Sequence, residues 1–273
     1  MRRGCVALSA LALAGAALVG CGRFAFEARE PWRAQAEEAC LRAKVVQPSA
    51  YLSRLAEIDG PGSCGMTYPF RASAFAAGEV ALTTGVTLSC PIIPEIDSWL
   101  LGTVQPAADL YFGEPVIGLR AGSYSCRSRN NQSGARMSEH SYGNALDVFA
   151  FRLAGGREIT LRKGWRGADD EQEFLREVFL GACRHFTTVL APGSDAFHDD
   201  HLHLDLARHD ARGLRRVCKP LLKFEPRLDP DRVSRGPESP RPRGTERPAR
   251  LVDGQAGAPR QLRPSADLSS GLY

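Results

Sequence analysis

The chain has 273 residues, 43% of them apolar and 24% charged, enough to bury a real core within one domain. Its formal charge of +4 is small and its basic residues are mixed with acids, with no basic patch interleaved with aromatics, which argues against a nucleic-acid-binding protein. These bulk figures average three unlike regions: an apolar N-terminus, a mixed middle and a C-terminal stretch rich in Pro and Arg.

Arg2 and Arg3 precede an apolar run over 6–19 that is too short to cross a bilayer comfortably, the pattern of an export signal covering 1–20. The run ends in Leu18-Val19-Gly20-Cys21, which resembles the bacterial lipobox. That resemblance implies cleavage before Cys21, lipidation of its thiol, and contact with the membrane through the lipid alone. A plain signal with an incidental cysteine is the competing reading. Gly22, where an Asp would indicate retention at the inner membrane, favours the periplasmic face of the outer membrane. Residues 21–31 then form a tether.

From 32 to 46, Trp32, Ala36, Ala39, Cys40, Ala43 and Val46 recur at helical spacing with Glu37 and Glu38 outside, predicting an amphipathic helix. Gly and Pro crowd 58–65 into a tight loop pinned by Cys64. An extended stretch over 80–88 and a helical one over 94–112, interrupted or bent at Pro106, come next. Short strands are predicted at 116–119 and 123–126, and a hairpin from 145–153 through Gly155-Gly156 to 158–161. A helix over 169–186 follows, acids in its first turn and Phe174, Val178, Cys183 and Phe186 toward the core. His201-Leu202-His203-Leu204-Asp205-Leu206 alternates, so His201, His203 and Asp205 share one strand face while the leucines face inward. The fold expected is α+β, a small, mainly antiparallel sheet flanked by helices over 32–223. Residues 224–273 hold eight of the 18 prolines and few large apolar residues, and are expected to be a disordered tail.

Once Cys5 leaves with the signal and Cys21 carries lipid, Cys40, Cys64, Cys90, Cys126, Cys183 and Cys218 remain, an even set that predicts three disulfides in an oxidising compartment. Sequence does not select the pairing; nearest-neighbour closure (40–64, 90–126, 183–218) gives loops of moderate length. No two of the six form a Cys-x-x-Cys clamp, so metal ligation by cysteine is disfavoured.

Two segments hold most of the histidines: Ser138-Glu139-His140-Ser141-Tyr142-Gly143-Asn144-Ala145-Leu146-Asp147, and His198-Asp199-Asp200-His201-Leu202-His203. A catalytic zinc site needs three rigid His or carboxylate ligands and an open fourth position. His140, Asp147 and His203 can supply them, with His201 near the ion but free to act as acid or base.

The first segment matches the Ser-x-His-x-x-Gly-x-Ala-x-Asp motif of the LAS metallopeptidases, which include D-alanyl-D-alanine carboxypeptidases and the penicillin-insensitive murein endopeptidase, and the second resembles their closing His-x-His. With Gly65 after Cys64, Trp99, Tyr124-Ser125-Cys126-Arg127 and the 183–186 stretch, the chain resembles the extensin-like C-terminal domain family over roughly 55–218. The resemblance implies that His140, Asp147 and His203 bind Zn2+, that Ser138 and Gly143 shape the ligand loop, and that Arg127 faces substrate; His198 either orients substrate or a ligand's outer partner, or only caps its turn. The carboxypeptidases place a Glu three residues before the last ligand, where this chain has Asp200, and the endopeptidase branch has the Asp-His-x-His arrangement that Asp200 to His203 resembles better. His201 is therefore expected to be the base, with Asp200 the alternative. The function this implies is zinc-dependent hydrolysis of amide bonds in peptidoglycan peptides, endopeptidase before carboxypeptidase. A zinc-containing wall-binding lipoprotein without turnover, and a metal-free disulfide-rich domain, are the competing classes.

Overall fold

The structure is a computed structural model that describes residues 28–228, so the expected signal, Cys5, Cys21, most of the tether and the tail beyond 228 lie outside the described residues. The chain runs through α1 (Pro31–Arg42), β1 (Leu52–Arg54), β2 (Ile58–Asp59), β3 (Gly65–Met66), β4 (Pro69–Phe75), β5 (Val80–Ser89), α2 (Ile92–Trp99), α3 (Gln105–Phe112) and β6 (Val116–Gly122). There follow β7 (Ala145–Leu153), β8 (Glu158–Thr160), α4 (Leu161–Gly164), α5 (Asp169–His185), β9 (Thr188–Leu190), β10 (Leu202–Asp205) and β11 (Val217–Lys219).

The main sheet has the order β1-β4-β5-β6-β7-β10-β9-β11, with β8 also paired to β7, while β2 and β3 form a separate small hairpin. Only the β5–β6 and β9–β11 pairs are parallel, so the sheet is mainly antiparallel as its sequence pattern predicts. The apolar run of β7 explains its central place: nearly all of Ala145–Leu153 is buried, and the strand is paired along both edges. Helices α2, α3 and α5 pack together and against the sheet, and the core between them centres on Trp99. Its ring is fully buried, stands edge-on to Phe151 and Phe186, and donates its indole N–H to the Val178 carbonyl at 2.9 Å. Close approach of α5 depends on Gly181, where an added Cβ would lie 2.2 Å from Thr103 Cγ2.

Several expectations need correction. The helix around Pro106 does not break: a π-helical turn over Leu100–Val104 lies between α2 and α3, and Pro106 sits in the first turn of α3. Residues 123–126 are not a strand; Ser123 Oγ reaches the carbonyls of Thr87 and Ala145, so the segment ties neighbouring strands together from outside the ladder. The Gly/Pro loop at 58–65 is flanked by β2 and β3, which pair as a hairpin. In α1 the inward residues are Arg33 and Glu37, with Ala39 exposed, because this helix packs on a polar rim. Glu37 accepts the Tyr68 N–H at 2.7 Å and pairs with Arg29.

Three disulfides form from the six expected cysteines, but only Cys183–Cys218 follows nearest-neighbour closure. The others are Cys40–Cys90, which staples α1 to the end of β5, and Cys64–Cys126, which ties the small hairpin to the loop between β6 and β7. Spatial neighbours across the sheet are distant in sequence, and Cα separations of 6.0 and 5.7 Å suit those bridges. Closing loops of 50 and 62 residues stabilises the fold by about 4 kcal/mol each on the chain-entropy model. Past the expected domain end at 223, the N–H groups of Arg227 and Leu228 both donate to Glu177 of α5 at 2.9 Å. Among the described residues no helix is long and apolar enough to cross a membrane.

Candidate metal centre

The first ligand segment is a 3₁₀ turn, Glu139–Tyr142, opened by Ser138, whose Oγ accepts the His140 N–H at 3.4 Å. It closes at Gly143, which has φ +60°, donates its N–H to the His140 carbonyl, and accepts the Ser89 N–H at 2.8 Å. A Cβ here would stand 2.1 Å from Met66 Sδ, so the position requires glycine on both conformational and steric grounds. The chain then enters β7, where Asp147 faces His203 of β10 directly across an antiparallel pair. Alternation in β10 turns Leu202 and Leu204 into the core and His203 and Asp205 to the site.

His140, Asp147 and His203 are buried, and one ligand atom from each lies within 4.8 Å of the others. His140 Nε2 is 3.1 Å from Asp147 Oδ2 and 3.2 Å from His203 Nδ1, and His203 Nδ1 is 2.9 Å from Asp147 Oδ1. The far ring nitrogens fix which atoms point inward. His140 Nδ1 lies 2.8 Å from the Ser123 carbonyl, which can only accept, so Nδ1 carries the proton and Nε2 offers a lone pair. His203 Nε2 likewise donates to the buried carboxylate of Asp205 at 2.9 Å, leaving Nδ1 to face the centre. Two imidazole nitrogens and a carboxylate converging in this way could hold a metal ion, and they are the donor types of a first-row divalent cation site.

The electrostatics agree. Burial raises the Asp147 pKa, but His140 and His203 outweigh it and hold the carboxyl well below the usual range. Burial lowers the His203 pKa, yet its bonds to Asp147 and Asp205 push it up to about 10. Asp205 is lowered in turn: the His203 bond outweighs burial. The field that favours a proton on His203 would also favour a metal cation, which would have to displace that proton from Nδ1.

The ligands form one wall of a cavity of about 310 Å³, which Arg127, Ser138, His198 and His201 also line. His201 Nε2 lies 3.5 Å from Asp147 Oδ1, beside the ligand cluster, while its Nδ1–H donates to Asp200 Oδ1 at 2.9 Å. Asp200 is absent from the cavity lining, is 40% exposed, and turns its other oxygen toward Arg162 at 3.6 Å. His198 donates Nδ1–H to Asp195 at 2.7 Å, with its ring 5.2 Å from that of His201. Burial lowers the His198 pKa despite Asp195. Ser138 spends its hydroxyl oxygen on the ligand turn, and the Arg127 N–H donates to Ser141 Oγ at 3.0 Å.

Sequence reasoning missed Asp195, His209, Asn130, Asn131 and Phe197, all on the cavity wall. His209 Nε2 is 2.8 Å from Thr188 Oγ1, and Asn130 and Asn131 are consecutive residues with φ of 55° and 54°. The consecutive Asn pair carried the available signal, since Asn tolerates the left-handed region better than other side chains. Asp205, expected on the same strand face as His203, is buried against it.

The family model described as extensin-like protein C-terminus matches residues 38–219, two thirds of the chain, and so includes all three candidate ligands. No curated protein and no solved structure matches the chain. The chain therefore belongs to the extensin-like protein C-terminus family.

Proposed function

We propose that this chain is a zinc-dependent peptidase that hydrolyses amide bonds in peptidoglycan peptides, an endopeptidase before a carboxypeptidase. The observation that carries this reading is His201: it lines the same cavity as three converging ligands, its Nε2 faces them, and Asp200 holds its Nδ1–H. A merely structural metal site does not need such a group. The likeness of 138–147 and 200–203 to the LAS metallopeptidase motifs supports the same reading, and the lipobox-like Cys21 supports placing it at the cell wall.

Zinc, held by His140 Nε2, His203 Nδ1 and Asp147, would polarise the scissile carbonyl and acidify a water molecule in its open position. His201 Nε2 takes a proton as the water oxygen bonds to the carbonyl carbon, and returns it to the amine as the C–N bond breaks. Asp200 keeps the proton on Nδ1, so Nε2 is the basic atom throughout, and this position makes it a positioning group for the base. Arg127, on the cavity wall, meets the developing negative charge or a carboxylate of the peptide, and His198, held by Asp195, orients the substrate.

The test is to load the mature chain with zinc, incubate it with purified peptidoglycan, and analyse the soluble products by mass spectrometry beside His201→Ala. New amine and carboxyl termini that need His201 support the peptidase. Intact peptidoglycan with bound protein would leave a wall-binding module in its place.

A further inference from the structure

Helix α1 turns two charges inward, and one of them is fully committed. Arg33, 5% exposed, donates through its two terminal nitrogens to Glu139 Oε2 and Oε1 at 2.7 and 2.8 Å and through Nε to Glu30 Oε2 at 2.6 Å. Its guanidinium also stacks 3.7 Å over the Tyr142 ring and 4.4 Å from that of Trp32. Such a fork fixes its partner in orientation as well as distance, which an ammonium would not do.

The partner stands next to a ligand. Glu139 immediately precedes His140, and its carboxylate also accepts Asn144 Nδ2–H at 2.7 Å while its carbonyl accepts the Asn144 N–H at 3.1 Å. Asn144 leads into β7 three residues before Asp147, and its own carbonyl accepts the Leu206 N–H at 3.3 Å. Leu206 follows Asp205, the carboxylate that holds His203. One chain of bonds, from buried Arg33 through buried Glu139 and Asn144 to half-buried Leu206, thus reaches the segments bearing all three ligands without touching a ligand atom.

We propose that Arg33 is a positioning residue for the metal centre: by clamping Glu139 it holds the 3₁₀ turn that aims His140 and braces that turn against β7 and the end of β10. This rests on the reading of His140, Asp147 and His203 as ligands. Arg33 precedes the matched family stretch, so the brace comes from a helix residue outside it.

The experiment is titration of the full chain with Co2+, read from its visible absorption bands, and with Zn2+ against a competing chelator, for wild type, Arg33→Met, Arg33→Lys, Glu139→Gln and Glu37→Gln. Glu37 is the control, being buried on the same helix but bonded to Tyr68 and Arg29 rather than to Glu139. Arg33→Met and Glu139→Gln are expected to weaken metal affinity about 10- to 100-fold and to alter the Co2+ bands, Arg33→Lys to fall between them and wild type, and Glu37→Gln to lower the melting temperature alone. If Arg33→Met does not fold, Arg33→Lys and Glu139→Gln carry the comparison. Folded clamp variants with wild-type affinity, or an equal loss in Glu37→Gln, would overturn the proposal while leaving the metal centre standing. Absence of binding by wild type would overturn both.

Discussion

Asp205→Asn separates the tautomer of His203 from everything else at the site. Asp205 is buried, with Oδ1 accepting the Ala207 N–H and Oδ2 accepting His203 Nε2–H, each at 2.9 Å. Asparagine fits the same space. Its one carbonyl oxygen must keep the Ala207 N–H, because two N–H groups cannot face each other, so its amide nitrogen is left facing His203 Nε2. The imidazole then has to accept there, so the proton it keeps is the one on Nδ1, the atom that faces Asp147 and His140. A metal must displace that proton against two mismatched donors. The expected loss of metal affinity is about 10- to 100-fold, or roughly 1.4–2.8 kcal/mol. The metal-free fold loses only about 1–2 kcal/mol, since one charge-assisted bond becomes a neutral one. Chelator competition with Zn2+, with thermal melts in EDTA alongside, measures both quantities. Wild-type affinity in Asp205→Asn would refute the assignment of Nδ1 as the ligand atom.

Gly143→Ala combines φ +60° with a Cβ 2.1 Å from Met66 Sδ, and is expected to lower stability by about 1–3 kcal/mol and to weaken metal binding with it, checked by melts with and without zinc. Gly181→Ala places its Cβ against Thr103 and is expected to cost a similar amount through overpacking while leaving metal affinity unchanged. The pH dependence has opposite signs in the two metal states. In EDTA, the raised His203 pKa contributes stability that is complete below its unfolded value of about 6.5 and is lost as pH rises through about 10, while the lowered Asp147 and Asp205 contribute above their unfolded values near 4 and lose it as pH falls. Metal must displace the His203 proton, so the rise in melting temperature on adding zinc is expected to grow from pH 6 to pH 8; a gain that shrinks over that interval would contradict the competition.

Much of this site was legible because its parts follow short-range rules. Period-two alternation in 201–206 places His203 and Asp205 on one face wherever the strand goes, and the 138–147 segment carries its own turn chemistry in Ser138 and Gly143. What sequence left hidden depends on long-range packing. Cys40 meets Cys90 and Cys64 meets Cys126 because of strand order, which no local spacing reveals. Glu37 reads as the outer face of a helix, and nothing local marks Arg33, until their partners arrive from Tyr68 and Glu139. In β4 the alternation of Phe70, Ala72 and Ala74 inward against Arg71 and Ser73 outward was present, but alanine marks a core face weakly. β9 spans only Thr188–Leu190, too short for any period to register.

The most direct test of the account is the metal content of the purified chain, measured by mass spectrometry beside His203→Ala and Asp147→Ala. About one zinc ion per wild-type chain, lost in both folded variants, is the result predicted. A wild-type chain that takes up no divalent metal, or variants that retain it in full, would contradict the centre on which the proposed chemistry depends.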